Sequence, residues 1–320
     1  MHDEPYQDQQ NQPNEPILSK RVIDRIRHPQ EKSTYILAVF INIIAVLTVI
    51  AMLMGEYSTY RNMLSETAEE QGSAIEVVDI LEVQNEFDKI LRSPENEWKV
   101  EIYTTAGILI FLTVLLLEYL YAQTRSQAVK VTPNQFGEIY YMAEKYARIM
   151  QLDSLPEIYL VQENGILNAF SSNIIKKKYI QINMDLLEIA YREHKDMSSI
   201  GFVLAHEMAH IRINHVSVWN RYTIMLSQII PIIGPALSRA REYSCDRLAQ
   251  AVSECNGVDA IMALTMGKHL YKKTNVAEYM ETGREIGGFW VWAVNMASSH
   301  PILPKRISAL SNPQIPGKLF

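Results

Sequence analysis

The sequence has little cysteine, only Cys245 and Cys255 among 320 residues and in no Cys-x-x-Cys arrangement, so no disulfide framework is expected and both read as free thiols. No cluster of Lys and Arg interleaved with aromatics stands out, which removes nucleic acid from the expected partners. Lys176 to Lys178 reads as a solvated turn. Neither an internal repeat nor a low-complexity stretch occurs beyond the N-terminus. The first 19 residues lack the basic-then-apolar order of a secretory signal and are rich in Gln, Asn, Asp, Glu and Pro. They read as a retained, disordered tail.

What the chain does have is long apolar runs. Tyr35 to Met54 is twenty residues without a charge, and Ile102 to Leu117 another sixteen, continuing to Ala122 past Glu118. Each is long enough to cross a hydrocarbon core as a helix; the competing reading is a long buried core helix. Lys20, Arg21, Arg25, Arg27 and Lys32 precede the first run, whereas residues 55–101 hold twelve acidic against four basic residues. Short basic flanks stay in the cytoplasm, so both termini are expected inside and the acidic loop outside. That loop is more negative than the whole chain, whose net charge is -6, and it leaves residues 123–320 mildly basic, suited to an anionic inner leaflet. Within it, Ile75, Val78, Leu81, Phe87, Ile90 and Leu91 recur at near-helical spacing.

Beyond the second run, Thr132, Pro133 and Gln135 form a helix-start signature, followed by apolar residues from Phe136 to Met150 at spacings of three and four. Three β-like runs come next, Glu157 to Val161, Ile166 to Ser171 and Tyr179 to Ile182, with Asn164-Gly165 as a turn; they predict a small antiparallel sheet. From Asp185 the pattern is helical again, which makes the class α+β and mainly α.

Phe202 to Ile211 contains His206-Glu207-Met208-Ala209-His210 in an uncharged, proline-free surround. Residues four apart share a helix face, so both imidazoles can reach one ion, and Glu207 projects close enough to take a proton from water activated there. A core helix carrying these groups by accident would leave three polar side chains to be buried without partners, at several kcal/mol in total. A catalytic zinc site takes three protein ligands. His215 is near, but the extended metzincin spacing needs Gly at 213 and His at 216, where Ile213 and Val216 stand. Glu242 and Asp246 lie four apart on a later helix; one can ligate while the other holds a histidine through its second nitrogen. A salt-bridged surface helix with Arg239, Arg241 and Arg247 is the competing reading.

Five segments together carry a family resemblance: Val131 to Phe136, Leu167 to Phe170, His206 to His210, Ser238 to Asp246, and His300 to Ile307. In their order and spacing the chain resembles the HtpX-type membrane zinc metallopeptidases, related to the type I CaaX prenyl endopeptidases. The resemblance implies two N-terminal membrane helices followed by a zincin-like domain, and one Zn²⁺ per chain. It makes Glu242 the third ligand and Asp246 a support of the site, and it places Asn168 and His300 over the substrate carbonyl. Arg306 opens a short helix that clamps this last segment.

The expected organisation is a tail with a basic juxtamembrane segment over 1–34, a membrane hairpin over 35–122 and a metallopeptidase domain over 123–320. The expected protein is an integral one of the cell membrane, of bacterial inner-membrane kind, its catalytic domain cytoplasmic and its substrates peptides or membrane proteins. A zinc-holding adaptor that does not cut, and a CaaX-type processing peptidase, are the rival readings. One departure from the family is visible. In the heat-shock protease of this type a long hydrophobic hairpin separates motif and third ligand, whereas only 31 residues separate His210 from Glu242 here. Tyr222 to Leu237, broken by Pro231, Gly234 and Pro235, reads as a membrane-dipping or buried connector, and Phe289, Trp290 and Trp292 as lipid-touching, core or substrate-lining residues.

Overall fold

The structure is a computed structural model and describes residues 17–70, 80–162, 168–174, 177–193, 197–285, 287–312 and 314–320. Thirteen α-helices and four strands follow in the described residues: α1 Lys20–Ile26, α2 Glu31–Glu70, α3 Ile80–Leu91, α4 Glu97–Gln127, β1 Val129–Lys130, α5 Gly137–Met150, β2 Glu157–Val161, β3 Ala169–Ile174, β4 Lys177–Asn183, α6 Met184–Glu188, α7 Met197–Arg212, α8 Val218–Ile229, α9 Ile233–Ser253, α10 Gly257–Met266, α11 Val276–Glu285, α12 Phe289–Ala297 and α13 Leu303–Ser311. A π-helical turn, Ile189–Glu193, follows α6. The chain divides into two compact units, one made of described residues within 1–38 and 123–320, the other of residues 39–122.

In the second unit, α2 and α4 are long and apolar enough to cross a membrane, and their apolar windows are only 6% and 0% buried. Phe40, Ile43, Leu47, Phe111 and Leu116 stand exposed, so neither helix is the buried core helix that was the competing reading. The acidic-loop helix is there as α3. It packs on the polar extension of α2, with Phe87 edge-on to Tyr60 and Val83 buried against Ala68, Met63 and Leu64. Ile75 and Val78 lie outside the described residues, as do residues 1–16 of the expected tail.

The first unit is built around α7, buried along most of its length because its interior positions are apolar or small and its charges are confined to the site and its end. α9 packs along it, with α5, α10, the π-turn and β3 around the rest. Gly201 permits the approach of α5, since a Cβ there would stand 2.8 Å from the Tyr146 hydroxyl.

The small sheet has the order β1-β2-β4-β3 and is mixed rather than antiparallel. β2 pairs with β4 in parallel, and the antiparallel pairs are β1 with β2 and β3 with β4. The two-residue β1 was not legible, being too short to show alternation. β2 matches its predicted span, but β3 begins three residues later than expected and lies at the sheet edge instead of the middle. The Asn164-Gly165 turn lies outside the described residues. Lys177 and Lys178 are not in a turn: they open β4, opposite Ile174 and Asn173.

The helix expected from Thr132 starts instead at Gly137. Thr132 and Gln135 exchange two backbone hydrogen bonds at 2.9 and 3.0 Å, and the Gln135 amide donates to Lys130 O at 2.7 Å, which closes a tight turn in front of the helix. The connector from Tyr222 to Leu237 is the end of α8, a sharp turn through Ile232 at φ 76°, and the first turn of α9, where Pro235 needs no intrahelical donor.

Candidate metal centre

α7 presents His206 and His210 one turn apart, their Nε2 atoms 3.2 Å from each other. α9, packed alongside, brings Glu242 to both: Oε2 is 3.5 Å from His206 Nε2 and Oε1 is 3.4 Å from His210 Nε2. Ligand atoms around a tetrahedral ion with bonds of about 2.0–2.2 Å stand about 3.3–3.6 Å apart; the two imidazole nitrogens are close to that separation, and each has a different Glu242 oxygen at such a distance. Two imidazoles and a carboxylate are also an appropriate donor set for a divalent ion that must keep an open position, so the residues fit a catalytic metal. Glu207 follows His206 directly and is buried beside the pair.

The remaining predicted residues are arranged around Glu242. Asp246, one turn further along α9, holds Oδ1 2.9 Å from His206 Nδ1. That contact is close without being an aligned hydrogen bond, so it orients the ring mainly by charge. Arg306 of α13 grips Asp246 with a two-pronged fork, Nε to Oδ2 at 2.8 Å and Nη2 to Oδ1 at 2.6 Å, and its Nη1 lies 3.6 Å from Glu242 Oε2. His300 places Nδ1 3.0 Å from Glu242 Oε2 while its side chain remains 63% exposed. The structure therefore gathers His206, His210, Glu242, Asp246, His300 and Arg306.

Asn168 is placed by its strand. It is exposed just ahead of β3, and the contact described for it is through its carbonyl, which accepts from Asn183 N at 3.0 Å. β3 nevertheless packs against α7, so the strand that Asn168 leads into runs beside the motif helix.

The charges of the cluster support one another. Burial works against charge on every member, and the neighbours more than offset it. His206 is pushed up to about 10 by Asp246 and Glu242. Glu242 is held well below the carboxylate range by hydrogen bonds from the three histidines, and Asp246 is held low chiefly by Arg306. Contact with Glu242 raises His300.

A second donor group exists around His210, formed with His215 and Cys245. His215 Nδ1 is 3.2 Å from His210 Nδ1 and 3.6 Å from the Cys245 sulfur. Burial and the surrounding carboxylates push the Cys245 thiol well up, so an ion held there would first have to displace a proton from a buried sulfur, whereas the first group already offers a carboxylate. The first group is the better metal site.

Several contributors were not visible in the sequence. Arg239 enters the sequence reading only through the competing picture of a salt-bridged surface helix; it is fully buried and its guanidinium donates to carbonyl oxygens of Leu319, Asn295 and Ser298 at 2.8, 2.6 and 2.8 Å. It thereby fastens the segment leading into His300. His28 donates its backbone N–H to Ser244 at 2.8 Å, and its ring contacts Gly317 O at 3.1 Å and stacks on Tyr243. Gly317 is required there: its φ is 93° and a Cβ would stand 2.6 Å from the Tyr243 ring. Phe289, Trp290 and Trp292, read three ways in the sequence, are exposed along α12.

A buried helix offering two imidazoles, a glutamate beside them and a carboxylate from a second helix are the parts a metallopeptidase centre requires. The chain belongs to peptidase family M48, whose model matches residues 133–234 and 217–314, together more than half of its length and including every metal-centre residue named above. Peptidases of this family are metal-dependent. No curated protein is matched by the chain.

Proposed function

We propose that this chain is a membrane-anchored zinc endopeptidase of the HtpX type, with its catalytic domain on the cytoplasmic side of the cell membrane and membrane proteins or their unfolded segments as substrates. The observation that carries the reading is the convergence of His206, His210 and Glu242 at 3.2–3.5 Å beside the buried Glu207. Zinc held there would supply Lewis-acid polarisation of the scissile carbonyl and of water. Glu207 takes a proton from the attacking water as its oxygen bonds to the carbonyl carbon. The same carboxyl then delivers that proton to the amine nitrogen as the C–N bond breaks, and no covalent enzyme intermediate forms. His300 is exposed to a substrate and donates through Nδ1 to Glu242; as the imidazolium, the form that contact favours, it keeps an Nε2–H to donate to the developing oxyanion. Asn168, at the mouth of the edge strand β3, has the same task from the other side, and an extended peptide can add to that edge.

The membrane placement is supported by two helices whose apolar faces are uncovered by protein, and the orientation by the basic residues that precede the first of them. In detergent-solubilised protein, a strong zinc chelator is expected to stop cleavage of an unfolded polypeptide, and stoichiometric zinc to restore it. Cleavage that persists after the metal has been removed and assayed as absent would refute the proposal.

A further inference from the structure

Glu31 is an acidic residue in the basic segment ahead of the first apolar run, yet it is 2% exposed. Its carboxylate is fully engaged. Oε1 faces His215 Nε2 at 2.8 Å and accepts from Arg27 Nη2; Oε2 accepts from Arg27 Nε at 3.2 Å and from the Ser244 hydroxyl of α9. Four contacts from three residues occupy the roughly four acceptor positions a carboxylate has. On its far side, His215 Nδ1 lies 3.2 Å from His210 Nδ1, and His210 Nε2 is the nitrogen facing His206 and Glu242.

Hydrogen-bond polarity fixes the direction of this chain. A carboxylate only accepts, so the His215 proton sits on Nε2 and its Nδ1 is an acceptor. His210 Nδ1 at 3.2 Å is the nearer donor to that lone pair, the Cys245 sulfur standing off at 3.6 Å, and a His210 that donates through Nδ1 keeps Nε2 as a lone pair toward the metal position. Ligating histidines typically donate their second nitrogen to a carboxylate or carbonyl, and that partner sets ring orientation and basicity. For His206 the carboxylate is Asp246, 2.9 Å from its second nitrogen and acting on it by charge. For His210 the carboxylate is one residue removed, with His215 between.

We propose that Glu31 is a positioning residue of the metal centre, acting through His215 to hold His210 in the tautomer and orientation that bind the ion. This rests on the reading of His206, His210 and Glu242 as the ligands. Because Glu31 is also the first residue of α2, the helix carrying the first apolar run, the proposal ties metal affinity to the root of that helix.

The test is the zinc affinity of full-length protein in detergent, measured by chelator competition. Glu31→Gln should lower the affinity about 10–100-fold, the usual cost of losing a ligand's outer partner. His215→Gln should do the same, and the double variant should lose no more than the worse single one, because both act through one path. Wild-type affinity in Glu31→Gln, or additive losses in the double variant, overturns the proposal. Two controls separate this from failure of the ligand assignment. Glu242→Ala must lose the ion, and retention there sinks the site itself; Cys245→Ser must keep it, and loss there moves the metal to His210, His215 and Cys245. If Glu31→Gln does not fold, Ser244→Ala leaves the carboxylate but removes one of its anchors. A smaller fall in affinity then supports the relay and an unchanged affinity overturns it.

Discussion

Glu207→Gln is expected to bind zinc as the wild type does and to lose about 10²–10⁴ in turnover, the contribution of a positioned general base. The amide is close to isosteric and sits on the buried face of α7, so the fold and the three ligands are undisturbed. It cannot accept a proton from water or deliver one to the leaving amine. The variant also separates the enzyme from its main rival, since a zinc-holding adaptor would keep all of its cellular function without that base. Cleavage rate and metal content measured on one preparation give the answer: lost cleavage with full metal supports the base, whereas lost metal assigns Glu207 a structural part.

Arg306→Met is expected to destabilise the metal-free protein by about 3–5 kcal/mol, the cost of stranding one partner of a buried pair. Asp246 is 1% exposed and takes two hydrogen bonds from Arg306, so the methionine leaves that buried carboxylate with the unaligned His206 contact in place of the fork. Zinc affinity should fall too, because Asp246 orients His206. Arg306→Lys should recover little of either, because an ammonium cannot reproduce the fork. The double variant Arg306→Met/Asp246→Leu should regain stability without regaining affinity. Thermal melting of the metal-free and zinc-loaded forms reads both quantities, and equal melting of Arg306→Met and wild type in the metal-free state would remove the pair from the account.

Local chemistry is what made the site legible. His206, Glu207 and His210 declare themselves by spacing on one helix, and Glu242 and Asp246 by the same four-residue rule on another. Residue spacing could not say that α9 lies along α7; that step came from the family resemblance, and the packing now gives it directly. Long-range pairing was invisible for the same reason. Glu31 and His215 are 184 residues apart, and nothing in the local spacing around Glu31 marks it as the partner of a histidine. Arg239 was read as part of a surface charge pattern, because no local signal tells a buried arginine satisfied by carbonyl oxygens from a solvated one. In the sheet, alternation located β2 and most of β4, but pairing order and direction depend on connections that a single strand's pattern does not encode.

Zinc content decides most directly whether two α7 imidazoles and the α9 carboxylate share one ion. Purified wild type should carry one zinc per chain, with His206→Ala and Glu242→Ala carrying almost none. Retained zinc in Glu242→Ala together with its loss in Cys245→Ser would contradict that centre.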